Sequence, residues 1–129
     1  MLPFTVTLRP GLSVHEQVTF AVKKAIVSGR LRPGDEFPSV RALSRELRIN
    51  PNTAHKVVAT LVADALLDVR PGIGTFVANP AGSSADQRRA LLREDVEQLV
   101  VEARHLALDV DTVVDAVRDQ WTKLDKSSR

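Results

Sequence analysis

From residue 13 onward, apolar positions recur every three or four residues, and serine, glycine, proline and asparagine break the runs. Val14, Val18, Val22, Ala25 and Ile26 keep helical spacing until Ser28-Gly29 stop them. Ser13 with Glu16 three residues on has the form of a capping box, so the pattern predicts a core-facing helix over residues 14–28. Leu31-Arg32-Pro33-Gly34-Asp35 reads as a turn. A second helix follows, capped by Ser39 and buried through Val40, Leu43 and Leu47. Arg48-Ile49-Asn50 connects it to a third, with Asn50 as N-cap and Pro51 in the first turn, where a missing N–H costs nothing. This third helix is expected to bury Ala54, Val57, Val58, Leu61 and Ala65. Asn52, Thr53, His55 and Lys56 are left near its outward N-terminal end.

Two short β-rich runs, residues 66–70 and 75–78, flank Pro71-Gly72-Ile73-Gly74 and predict a hairpin. A helix, a tight turn, a polar-fronted helix and a hairpin together outline a winged helix-turn-helix, the architecture of a DNA reader. Residues 79–85 have the composition of a linker. Beyond them Leu92, Val96, Leu99, Val100, Ala103, Leu106 and Ala107 predict a helix over residues 86–108, and Asp111 can cap a last helix carrying Val114, Val117, Trp121 and Leu124. The expected fold class is therefore α+β: a winged helix-turn-helix domain over residues 1–80, then a two-helix dimerisation tail over residues 81–129. Two helices cannot enclose a large core alone, so their apolar stripe needs a cover. That cover is either residues 1–28 or, the better fit, a second subunit meeting Leu92, Val96, Leu99, Val100, Ala103, Val114, Val117 and Trp121.

Charge sharpens this division. Residues 1–80 hold ten Lys/Arg against six Asp/Glu, net +4, whereas residues 81–129 hold eight against ten, net −2. The first half suits a polyanion and the second suits protein or solvent. The 129 residues contain no cysteine, which removes disulfides and thiolate chemistry, and no apolar run long enough to span a bilayer. The first ten residues lack a basic segment before an apolar run, so a cytoplasmic location without membrane contact is expected. His15, His55 and His105 stand in no metal-ligand spacing, and no phosphate-cradling glycine motif is present. Glu94, Asp95, Glu97 and Glu102 alternate with arginines as on a solvated helix face. No enzymatic activity, metal or cofactor is expected.

The candidate contacts to double-stranded DNA follow from residue chemistry. Arg41, Arg45, Arg48 and Lys56 suit phosphates or base edges, because a guanidinium matches both phosphate and guanine bidentately. Asn52 can read adenine, Thr53 can meet a thymine methyl or a phosphate, and His55 can contact either as a neutral or charged ring. Asn50 joins from the turn, and Arg70, Gly72 and Gly74 from the wing.

The segments Ile26-Val27-Ser28-Gly29-Arg30-Leu31-Arg32-Pro33-Gly34-Asp35, Pro38-Ser39-Val40-Arg41-Ala42-Leu43-Ser44, Asn50-Pro51-Asn52-Thr53-Ala54 and Gly72-Ile73-Gly74-Thr75-Phe76-Val77 resemble, in order and spacing, the GntR family of bacterial transcription regulators. With the first helix they cover residues 12–78, and the short helical tail resembles the small YtrA-like branch. The resemblance implies that Arg41 lies at the DNA surface and that Gly72 and Gly74 form a wing tip entering the minor groove. Pro51, Asn52 and His55 stand where many relatives carry arginine, threonine and arginine, which removes two bidentate arginines. Ile73 replaces a residue that is often basic. The implied function is a homodimeric repressor on an inverted-repeat operator, to which a small-molecule effector could add control from between the tail helices, with Trp121 as a cavity wall. The alternative is a winged-helix protein-interaction module that does not read DNA.

Overall fold

The computed structural model describes residues 2–79 and 84–127. It divides into two compact units, Met1–Pro80 with Leu124–Arg129, and Ala81–Lys123.

In the first unit α1 spans Val14–Val27, α2 Val40–Leu47 and α3 Pro51–Ala63. Strands β1 (Glu36–Phe37), β2 (Leu67–Arg70) and β3 (Gly74–Val77) form an antiparallel sheet in the order β1-β3-β2. The hairpin is as expected; β1, between the expected turn and the second helix, is an additional edge strand. The core joins Val18, Val22 and Ala25 of α1 to Leu43 of α2, Ala54, Val57, Val58 and Leu61 of α3, and Leu67 and Val77 of the sheet. The N-terminal segment closes one side: Phe4 is buried and stacks on Phe37 with ring centroids 5.9 Å apart. His15 Nε2 and Thr60 Oγ1, 2.9 Å apart, tie α1 to α3.

Local chemistry explains the helix ends. Ser13, Ser39 and Asn50 each accept an N–H of the following first turn. Helix α3 stops two residues before Ala65, which is exposed rather than buried as the periodicity suggested. Ala65 has φ 62°, and the N–H groups of Ala65 and Leu66 turn back to the carbonyls of Val62 and Leu61. This is a Schellman closure made with alanine in place of the usual glycine.

The second unit departs further from the expectation of one helix over residues 86–108. Helix α4 (Ala85–Arg89) passes into a π-helical stretch, Ala90–Asp95, before α5 (Val96–His105), and Val96 N–H reaches the Leu91 carbonyl five residues back. Most of the expected linker lies outside the described residues, but Ser84 and Gln87 form a reciprocal capping box at the head of α4. Helix α5 ends at His105 because Ala107 adopts φ 60° and Leu108 N–H returns to the Ala103 carbonyl. Helix α6 (Val110–Ser127) is capped by Asp109, not Asp111: Asp109 Oδ1 accepts the Thr112 N–H at 3.2 Å. The Thr112 hydroxyl and amide hold the Asp109 carboxyl below its usual pKa by favouring the charged form.

Candidate nucleic-acid interface

The turn between α2 and α3 is closed from both sides. Ser44 donates its hydroxyl to the Ile49 carbonyl at 2.7 Å, while its own carbonyl accepts the N–H groups of Arg48 and Ile49. Arg48 sits in the left-handed region at φ 55°, a position better suited to glycine. Its side chain is exposed at the turn. Asn50 follows as N-cap, its Oδ1 accepting the Asn52 N–H at 2.7 Å, so this oxygen already serves the backbone while the NH2 group is left for a ligand.

Helix α3 buries Ala54, Val57, Val58 and Leu61 and thereby turns the other side of its first two turns outward. Asn52, His55 and Lys56 are exposed there and Thr53 is half-buried. Within the described residues the side chains of Asn52, His55 and Lys56 have no intramolecular hydrogen bond or ion pair. The Asn52 side chain is thus not consumed by the helix end it sits on. On α2, Arg41 and Arg45 stand one turn apart and line an open notch with Ser39 and Ala42. Neither is paired with a carboxylate among the described residues, which leaves both guanidinium groups free for anions.

The wing contributes Arg70 at the end of β2, exposed, with Gly72 at φ 75° in the loop and Gly74 opening β3. A Cβ on Gly72 would meet nothing within 4 Å, so its role is conformational: the loop needs a residue tolerant of positive φ. Ile73 at the tip is 72% exposed. Arg70 lies over Phe76, a residue the sequence reading passed over as a wing strand position, with Cζ 4.3 Å from the ring centroid.

Of the eight tail residues expected at a subunit interface, Leu92, Val96, Leu99, Val100, Val114, Val117 and Trp121 are exposed, Trp121 at 72%. Ala103 is buried within the chain itself. An open pocket of about 400 Å³ lies in this unit, lined by Val100, Ala103, Arg104, Leu108, Asp109, Val110 and Val113. Trp121 does not line it. Among the described residues no cluster of His, Asp or Glu is disposed to hold a metal ion, and no helix is long and apolar enough to cross a membrane.

A recognition helix fixed by its buried face, with unengaged polar side chains on the other and a wing beside it, defines a winged helix-turn-helix DNA-binding domain. Residues 14–77 match the family of "Bacterial regulatory proteins, gntR family". The chain belongs to that family, in its small YtrA-like branch. It is 24% identical over 112 residues to the HTH-type transcriptional repressor YtrA of Bacillus subtilis (strain 168), covering 86% of each chain. Its fold is similar to that of a transcriptional antiterminator from Listeria monocytogenes EGD-e, with TM-score 0.83 and 23% identity over 94% of this chain and 91% of that one. It is also similar to the AraR DNA-binding domain in complex with operator ORX1, with TM-score 0.50 and 28% identity over 57% of this chain and 95% of that one. The relatives are named as transcriptional regulators rather than enzymes, and the chain is a transcription regulator.

Proposed function

We propose that this regulator is a homodimeric, sequence-specific repressor, acting in the cytoplasm, whose two copies of α3 enter successive major grooves of an inverted repeat. The observation that carries this reading is the front of α3: Asn52, His55 and Lys56 are exposed and unengaged, on a helix whose opposite face is locked into the core. Asn52 supplies a donor and an acceptor suited to adenine N6 and N7. Thr53 and His55 lie beside it for a methyl, base-edge or phosphate contact. Arg41, Arg45, Arg48 and Lys56 supply phosphate neutralisation, and Asn50 contributes its free amide. Arg70 and the backbone at Gly72 and Gly74 add the wing contacts.

Two features support the dimer. The tail leaves a run of large apolar side chains uncovered, which a second copy of the same surface would bury. One small module also touches too few bases to compete with genomic non-specific sites, whereas two on one duplex multiply their affinities. Repression accords with the relative named as a repressor. The tail pocket has the volume of a small-molecule site and supports an effector acting on the dimer.

Selection of bound sequences from random duplex DNA, followed by binding to the winner at several salt concentrations, tests the reading. An inverted repeat bound tightly, with affinity falling steeply as salt rises, is the expected result. Binding without sequence preference, or a preferred site lacking two-fold symmetry, would overturn it.

A further inference from the structure

The sheet register places Glu36 and Asp68 opposite Phe76, and Gly74 opposite Arg70. Because side chains alternate between faces, Glu36, Asp68, Arg70, Gly74 and Phe76 share one face. The buried Phe37, Leu67 and Val77 occupy the other. Arg70 and Phe76 are therefore diagonal neighbours, a separation that a long side chain and an aromatic ring can bridge. They do so: the guanidinium carbon stands 4.3 Å from the ring centroid, the geometry of a cation–π contact.

Gly74 lies at the corner of this diagonal. A Cβ there would stand 3.7 Å from Phe76 Cε2 and 3.8 Å from Glu36 Oε1, in the space that the ring and the carboxylate border. These are ordinary contact distances, so Gly74 borders the ring without being crowded by it. Although Glu36 and Asp68 share the face, no carboxylate among the described residues is paired with Arg70. An aromatic surface holds the guanidinium through its flat side and leaves its edge N–H groups and its charge available. A carboxylate partner would have occupied those N–H groups.

We propose that Phe76 is a positioning residue for DNA binding: it presets Arg70, at the loop end of β2, as a clamp for a backbone phosphate. The inference rests on the DNA-reading function proposed above. An arginine free in solvent loses rotamer freedom when it grips a phosphate, and one already stacked loses less.

The test uses the full chain and its selected duplex, with Arg70→Ala, Phe76→Leu, Phe76→Tyr and the double variant Arg70→Ala/Phe76→Leu. Arg70→Ala is expected to weaken binding about 10-fold and to lower the salt slope by about one, the signature of a lost phosphate contact. Phe76→Leu is expected to weaken binding about 3- to 10-fold in the parent and to add nothing in the Arg70→Ala background, while Phe76→Tyr stays within about twofold of the parent because its ring face remains. A chain carrying a fluorinated phenylalanine at position 76 keeps the shape and weakens the ring's attraction for cations. It is expected to lose affinity in the same Arg70-dependent way, which guards against a Phe76→Leu chain that does not fold. An equal loss on Phe76→Leu with and without Arg70 would assign Phe76 to the sheet alone and overturn the inference. So would an unchanged affinity and salt slope for Arg70→Ala in a chain that binds its duplex. Failure of the parent chain to bind any duplex would instead sink the DNA reading, and this inference with it.

Discussion

The two halves of this chain treat their apolar residues in opposite ways. In residues 2–79 the large side chains on the predicted inward faces are buried in one core, from Val18 through Leu43 to Leu61, or, like Val14, Ile26, Val40 and Leu47, are partly buried against it. In residues 84–127 the equivalent stripe is exposed. Val96, Leu99, Val100, Val114 and Val117 are between 38% and 46% accessible, and Leu92 and Trp121 more so. Helical periodicity of the same quality thus has two outcomes. Three helices and a sheet can surround a core, whereas α5 and α6 bury Ala103 and leave most of their large apolar side chains exposed. The first region is held by its own packing, and the uncovered stripe of the second is what the proposed dimer would bury.

Substitutions separate these two modes, and the largest effect belongs to the core. Leu61→Ala removes a fully buried side chain where α3 meets the other elements, and is expected to cost roughly 2–5 kcal/mol in a denaturant titration at any protein concentration. Val117→Glu is expected to leave that transition unchanged. It should raise the dimer dissociation constant by about 100-fold or more in sedimentation, because each subunit would carry an unpaired carboxylate into the interface. Left-handed alanines sharpen the contrast further. Ala65→Gly, at φ 62°, should stabilise the first region by about 1 kcal/mol, and Ala107→Gly, at φ 60°, should act instead on the tail. A gain from Ala107→Gly that does not depend on protein concentration would break the comparison.

The smallest expected effect is that of pH at the head of α6. Asp109 has its pKa lowered in the folded chain by the Thr112 hydroxyl and amide. Its contribution is therefore complete above the ordinary aspartate value of about 4 and is lost as pH falls through the lowered one. Tail helicity followed by circular dichroism between pH 6 and 2 should show a small acid-side decrease that Asp109→Asn removes, since the amide caps without titrating.

The helix-turn-helix was legible because each boundary carries a residue with a local reason to be there. Ser39 and Asn50 cap, Pro51 fits the first turn, and Gly72 accepts a positive φ that the wing loop requires. The boundaries that were not legible lack such residues. Ala65 and Ala107 end their helices in the left-handed conformation without the glycine or asparagine that usually marks it, so periodicity alone ran through them. The π-helical stretch is equally silent, because inserting one residue into a helix leaves no composition signal. β1 was hidden by its two-residue length. In the candidate site, exposed cations and the polar front of α3 could be read from residue type and spacing. The Arg70–Phe76 contact could not, because it depends on a cross-strand register fixed only when the wing folds.

Trp121 is the sole tryptophan of a chain without tyrosine, and it lies on the uncovered surface of the tail, so its emission reports that surface directly. The most direct measurement follows sedimentation mass and Trp121 emission together over a protein concentration series. A doubling of mass in step with a blue shift is expected, as a second copy takes the indole out of water. A mass that stays monomeric to tens of micromolar, with emission fixed at the value of a solvated indole, would contradict it.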